Sequence, residues 1–218
     1  MNKTVYMLID CSGSMYGARA DAVNNAMEKI VTEGIPEIRK METADLNISF
    51  VVLGFSDNFP NKVIEFLPKT SLEDFNSWNR IESEMFEGGT PTGAAIQAVI
   101  DDIKGASTHG DKDISAIPPA ILLISDGLPN GTNPTYEEAL TAADKNSPTY
   151  VPMFRRALRV ALAINVDDEG RESLKKFGSV SAKMQAKGLE SYYECSDQYL
   201  DQFVEIIKSA TVNASVGS

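Results

Sequence analysis

Val5-Tyr6-Met7-Leu8-Ile9, followed without a break by Asp10-Cys11-Ser12-Gly13-Ser14, joins an apolar run to a short loop of small polar residues. Apolar residues at successive positions suit a strand whose two faces are both covered, as in a parallel sheet between helices. The abrupt change at Asp10 marks the strand's end, so the polar residues fall on the loop just beyond it. In open α/β sheets, ligands bind in the crevice outside the C-terminal ends of the strands. Asp10 offers a carboxylate there, and Ser12 and Ser14 offer hydroxyls. Gly13 is expected to bend the backbone so that the three converge. Such oxygens are poor ligands for a soft metal and form a partial shell for a hard divalent cation. Magnesium is the first expectation, with manganese or calcium next.

A second apolar run, Ala120-Ile121-Leu122-Leu123-Ile124, also finishes in an acid, within Ser125-Asp126-Gly127. Two parallel strands end at the same edge of their sheet, which predicts Asp126 beside Asp10. A third polar stretch, Gly88-Gly89-Thr90-Pro91-Thr92-Gly93, precedes Ile96, Val99, Ile100 and Ile103 at helical spacing. It is the other place from which oxygens could reach the same point. Thr92 could instead cap the helix.

Around these three pieces the chain alternates strands and helices. Val23, Ala26, Met27, Ile30 and Val31 predict a helix from about Ala18 to Gly34, broken by Gly34-Ile35-Pro36. Strands are expected over Leu46–Ser56, Val63–Leu67, Val160–Val166 and Ser191–Cys195. The short spacing of the first two of these predicts an antiparallel hairpin at one edge. Ser71-Leu72-Glu73-Asp74 looks like a capping box that starts a short helix through Trp78. Further helices are expected over Tyr136–Asp144, Pro152–Leu158 and Glu172–Phe177. Leu200, Phe203, Val204 and Ile207 suggest a last one. The result is an α/β fold: a doubly wound, mostly parallel sheet with one antiparallel edge strand and helices on both faces. It is expected to be one domain over residues 1–212, with a frayed tail over 213–218.

The chain has 218 residues, 43% hydrophobic and 23% charged, the proportions of an ordinary globular protein. Its formal net charge of −11 argues against nucleic acid, whose binding needs clustered Lys and Arg. No signal peptide and no run of spanning length is visible, which points to a cytoplasmic protein without a membrane segment. Cys11 and Cys195 then read as reduced thiols. The lone histidine, His109, lies in a polar stretch and reads as a surface residue. Bland roles exist for each candidate: Asp10 and Asp126 could cap helices, and Ser12, Ser14 and Thr90 could satisfy loop amides. Hydrolase chemistry competes for the same residues. A haloacid-dehalogenase-type phosphatase would use Asp10 as a magnesium-assisted nucleophile, but it needs a second acid where Ser12 stands. A serine hydrolase lacks both a base and a Gly-x-Ser-x-Gly elbow. A third possibility is a scaffold whose partner surface includes Arg155, Arg156 and Arg159.

Asp10-x-Ser12-x-Ser14 after a first strand, Gly88-Gly89-Thr90 before a helix and Ile124-Ser125-Asp126-Gly127 after a central strand together resemble the von Willebrand factor A domain and its metal-ion-dependent adhesion site. Within that family the chain is similar to the bacterial TerY-type proteins of tellurite-resistance and stress systems. The resemblance implies a divalent cation held by Ser12, Ser14 and Thr90, with Asp10 and Asp126 acting directly or through water. It implies no enzyme activity. The cation would keep a position for an Asp or Glu supplied by a partner protein, of kinase or phosphatase type in the TerY context.

Overall fold

A computed structural model describes residues 2–41, 46–105, 117–195, 205, 206, 208 and 209. Its strands are β1 (Asn2–Asp10), β2 (Asn47–Phe55), β3 (Val63–Ser71), β4 (Ala120–Ser125), β5 (Leu158–Ile164) and β6 (Tyr192–Cys195). They form one mixed sheet in the order β3-β2-β1-β4-β5-β6. Parallel pairs join β1 to β2 and to β4, β4 to β5, and β5 to β6; β3 runs antiparallel to β2 at the edge, as expected. The chain moves outward from β1 to β2 and later returns to the other flank of β1 with β4. The reversal of strand order therefore falls between β1 and β4, where a crevice opens at the strand ends. Asp10 closes β1 on one side of that point, and Asp126 follows β4 on the other.

Helices cover both faces: α1 (Ala18–Lys29), α2 (Ile35–Met41), α3 (Thr92–Ile103), α4 (Tyr136–Leu140), α5 (Pro152–Arg156), α6 (Asp168–Phe177) and α7 (Ala182–Gln185). Side chains alternate across the pleat, so each strand feeds two cores. Val5, Met7 and Ile9 join Leu122 and Ile124 of β4, Val23 and Met27 of α1, and Ile30 just after it, on one face. Tyr6 and Leu8 join Ile121 and Leu123 with Ile96, Val99 and Ile100 of α3 on the other. This two-sided burial is why Val5–Ile9 of β1 and Ala120–Ile124 of β4 are apolar at successive positions rather than alternating.

Several local expectations are corrected. The break expected at Gly34-Ile35-Pro36 does not occur: a π-turn over Ile30–Gly34, in which the Ile35 amide donates to the Ile30 carbonyl, carries α1 into α2. Continuing the helix buries Ile35 and Ile38, which a break would expose, and the wider turn absorbs the irregularity. The expected helix after Ser71 is also absent. Ser71 Oγ accepts from the Asp74 amide and donates to Asp74 Oδ2, as in a capping box, but only a turn results. Arg39 takes the carbonyls of Leu72 and Glu73, which a helix would have used. Trp78 consequently packs no helix of its own; it stands edge-on to Phe66, with 6.4 Å between ring centroids, and its Nε1 donates to Asn24 Oδ1 of α1.

Boundaries shift elsewhere. β3 extends to Ser71 and carries Pro68, which an edge strand tolerates. β5 starts at Leu158, and α6 starts at Asp168 behind an Asp167 cap that accepts from the Gly170 amide. The basic cluster is divided: Arg155 and Arg156 are exposed, whereas Arg159 is buried, donating to the carbonyls of Phe177 and Phe154 with its guanidinium over the Phe154 ring. The readings for His109, the helical face of Leu200, Phe203, Val204 and Ile207, the Cys195 thiol and the tail lie outside the described residues. Cys11 is a buried free thiol. Among the described residues no helix is long and apolar enough to cross a membrane.

Candidate metal centre

Three loops meet at the C-terminal edge of β1 and β4. Asp10 is fully buried and held at both oxygens: Oδ1 accepts from the Ser12 amide at 2.9 Å, and Oδ2 accepts from Ser125 Oγ at 2.6 Å. A short 3-10 turn over Gly13–Met15 then lifts Ser14 toward β4. Ser12 Oγ and Ser14 Oγ lie 3.1 Å apart, and Ser14 Oγ donates to Asp126 Oδ1 at 2.8 Å. Four of the five sequence candidates are thus linked by hydrogen bonds, and of these only Ser14 is exposed.

The fifth, Thr90, is buried on the neighbouring loop, which is stitched to the first by the Gly13 amide on the Gly88 carbonyl and the Glu87 amide on the Cys11 carbonyl, both at 3.0 Å. Gly88 adopts φ +86°, a left-handed conformation that favours glycine. Asn130 fixes Thr90 from the β4 side: its Oδ1 accepts from the Thr90 amide at 2.8 Å, and its own amide donates to the Thr90 carbonyl. No hydrogen bond joins the Thr90 hydroxyl to the other four candidates among the described residues. Thr92 does not cap α3; it is the helix's first residue, and its side chain makes no capping bond.

Burial pushes the Asp10 carboxyl up to about 6, hydrogen bonds from Ser12 and Ser125 oppose the rise, and the negative charge of Asp126 adds to it. Two carboxylates held this way favour a positive charge beside them. Part of it comes from the protein, since Arg19 Nη1 lies 2.5 Å from Asp126 Oδ2 and 2.7 Å from the Ser14 carbonyl oxygen. The donor set is two carboxylates and hydroxyls, all hard oxygens, which fits magnesium, manganese or calcium. Among the described residues no group of three or more His, Cys, Asp or Glu is placed to hold an ion.

Gly13 works differently from expectation. It is not among the glycines with positive φ, and an added Cβ would meet only ordinary contacts, the nearest being the Gly88 oxygen at 3.7 Å. The tight left-handed bend comes later, at Gly17, with φ 80°. Sequence reasoning missed Arg19, Ser125 and Asn130 as members of the site. Ser125 stood inside the quoted motif, and its place just before Asp126 was the available signal; nothing local marked Arg19 or Asn130.

Residues 5–128 match the family model of the von Willebrand factor type A domain, more than half of the chain. The chain belongs to that family. Solved structures agree on the fold of this von Willebrand factor type A domain at low identity. The pilus adhesin SpaC of Lactobacillus rhamnosus GG superposes with a TM-score of 0.58 at 16% identity, covering 96% of this chain and 31% of the adhesin. The von Willebrand domain of the type V pili tip protein Mfa5 of Porphyromonas gingivalis gives 0.56 at 14%, covering 100% of this chain and 97% of that one. Proximal thread matrix protein 1 of the mussel byssus, in a structure with a zinc-occupied MIDAS motif, gives 0.56 at 16%, covering 97% and 48%. The chain therefore spans about a third of SpaC and about half of the mussel protein. No curated protein sequence matches it.

Proposed function

We propose that this domain is a divalent-cation-dependent protein-interaction module whose metal-ion-dependent adhesion site comprises Asp10, Ser12, Ser14, Thr90 and Asp126. The observation that carries this reading is the hydrogen-bonded run from Ser125 through Asp10 and Ser12 to Ser14 and Asp126, which gathers hard oxygens from two strand ends at the reversal of strand order. The bound cation would supply a Lewis-acid position for a carboxylate from a partner protein. Asp10 and Asp126 would hold it directly or through water, and Ser12, Ser14 and Thr90 would contribute hydroxyls. Magnesium is the proposed physiological ion, and the zinc-occupied motif of the mussel protein supports a divalent ion at such a site. Asp10 is a poor nucleophile here, because both of its oxygens accept hydrogen bonds inside the protein. The arrangement suits holding rather than phosphoryl transfer. Resemblance to TerY-type proteins supports a bacterial stress or tellurite-resistance setting, a cytoplasmic location and a partner of kinase or phosphatase type. The domain itself is taken to be residues 1–212.

Calorimetric titration with magnesium, manganese and calcium tests the reading, run on the wild type, Ser12→Ala and Asp10→Ala, with circular dichroism confirming the fold. Saturable binding by the wild type and its loss in both variants, without turnover of a generic phosphomonoester, is the expected outcome. A wild type that binds none of the three ions, or variants that bind as the wild type does, overturns it.

A further inference from the structure

Arg19 is the one cation seen to touch the candidate centre among the described residues, and it is not one of the five candidate ligands. It stands in the first turn of α1, where Nη1 bridges Asp126 Oδ2 at 2.5 Å and the Ser14 carbonyl at 2.7 Å, while Nη2 reaches the Asn165 carbonyl at 3.5 Å. Its side chain is 32% exposed, whereas that of Asp126 is 1% exposed. The guanidinium therefore faces solvent at the mouth of the site with its inner edge on a buried carboxylate.

Charge counting gives this placement a consequence. With Asp10 and Asp126 ionised and Arg19 charged, the centre carries one net negative charge. A divalent cation would turn that into one net positive charge, which a single carboxylate neutralises. Without Arg19, the loaded centre would already be neutral and would draw an anion only weakly. Arg19 also occupies an oxygen of Asp126 that would otherwise serve the cation undivided. A guanidinium carries five donors, more than these contacts use, so its solvent side can meet an incoming carboxylate in the planar geometry that Arg suits best.

We propose that Arg19 is a positioning residue that couples cation and carboxylate, weakening the centre for the cation alone and strengthening it for the cation together with a monocarboxylate ligand. This rests on the metal-site reading above. Because such coupling is reciprocal, the carboxylate must tighten the cation as much as the cation tightens the carboxylate.

The test measures manganese binding by the electron-spin signal of the free ion, in sodium acetate and in sodium chloride at equal ionic strength. Wild type, Arg19→Gln and Arg19→Lys are compared, with thermal melts alongside. In chloride, Arg19→Gln binds manganese roughly fivefold or more tighter than the wild type; acetate tightens the wild type by a similar factor and leaves Arg19→Gln unmoved. Arg19→Lys restores part of the acetate effect. A strap that merely ties α1 to the loop after β4 would lower the melting temperature without moving the two affinities in opposite directions. An unchanged manganese affinity or a retained acetate effect in Arg19→Gln overturns the Arg19 role alone. A wild type that binds no manganese overturns the metal-site reading, and this inference falls with it.

Discussion

Lys3 lies in β1 only 1% exposed, and burial lowers its ammonium from 10.5 to about 7. The unfolded chain holds that proton up to about 10.5, so between the two values it binds more protons than the folded protein does, and stability rises with pH across the window. The burden is fully present below pH 7. Urea melts of the wild type and Lys3→Met should therefore converge as pH climbs from 7 to 10; a gap that stays constant or widens would contradict this. At the centre itself, Ser125 carries a prediction of its own. Its hydroxyl donates to Asp10 Oδ2 and accepts from the Gly127 amide at 3.2 Å, orienting the carboxylate without being one of the five candidate ligands. Ser125→Ala should weaken manganese binding about tenfold or more, the usual cost of losing a partner that orients a ligand. Equal affinities in a titration of both proteins would show that Asp10 needs no such support.

Among the elements, α1 holds the long connection between β3 and α3 through one buried side chain. Asn24, 3% exposed, accepts from the Ile81 amide at 2.8 Å and from Trp78 Nε1 at 3.2 Å, and donates to the Ile81 carbonyl at 3.0 Å. Replacing it by Ala strands a buried donor and acceptor, at a cost of about 3 kcal/mol. Urea denaturation of Asn24→Ala should show a lower midpoint with an unchanged slope. At α4, Thr135 and Glu138 form a reciprocal capping box that Thr135→Ala would remove, costing about 1 kcal/mol by the same measurement. The contrast between Thr135 and Ser71 shows where local reading stops. Both positions carry capping patterns, but only the first starts a helix, because Arg39 from a distant element captures the carbonyls after Ser71. The π-turn before Ile35 has the same origin, in burial that no window around Pro36 reveals.

Across the whole molecule, two cores lie on opposite faces of a single sheet, and neither face can lose its strands without stripping the other. Thermal unfolding should therefore be one cooperative transition, with calorimetric and van't Hoff enthalpies agreeing. If the metal reading holds, manganese at about a hundred times its dissociation constant should add about 2.7 kcal/mol to that stability, and Ser12→Ala should lose the increment. The doubly wound parallel sheet, its antiparallel edge and the placement of Asp10 and Asp126 at one edge followed from sequence alone. Apolar runs ending in acids report two-sided burial and a strand terminus, and both are local properties of the chain. Ser12 and Ser14 were legible for the same reason, since their spacing from Asp10 is short. Only the tertiary structure decided that Arg19 sits on Asp126, that Ser125 and Asn130 fix Asp10 and Thr90, and that Arg159 is buried away from Arg155 and Arg156. The contacts of Arg19 with Asp126, of Ser125 with Asp10 and of Asn130 with Thr90 join residues far apart along the chain, and only the fold sets the distances between such partners.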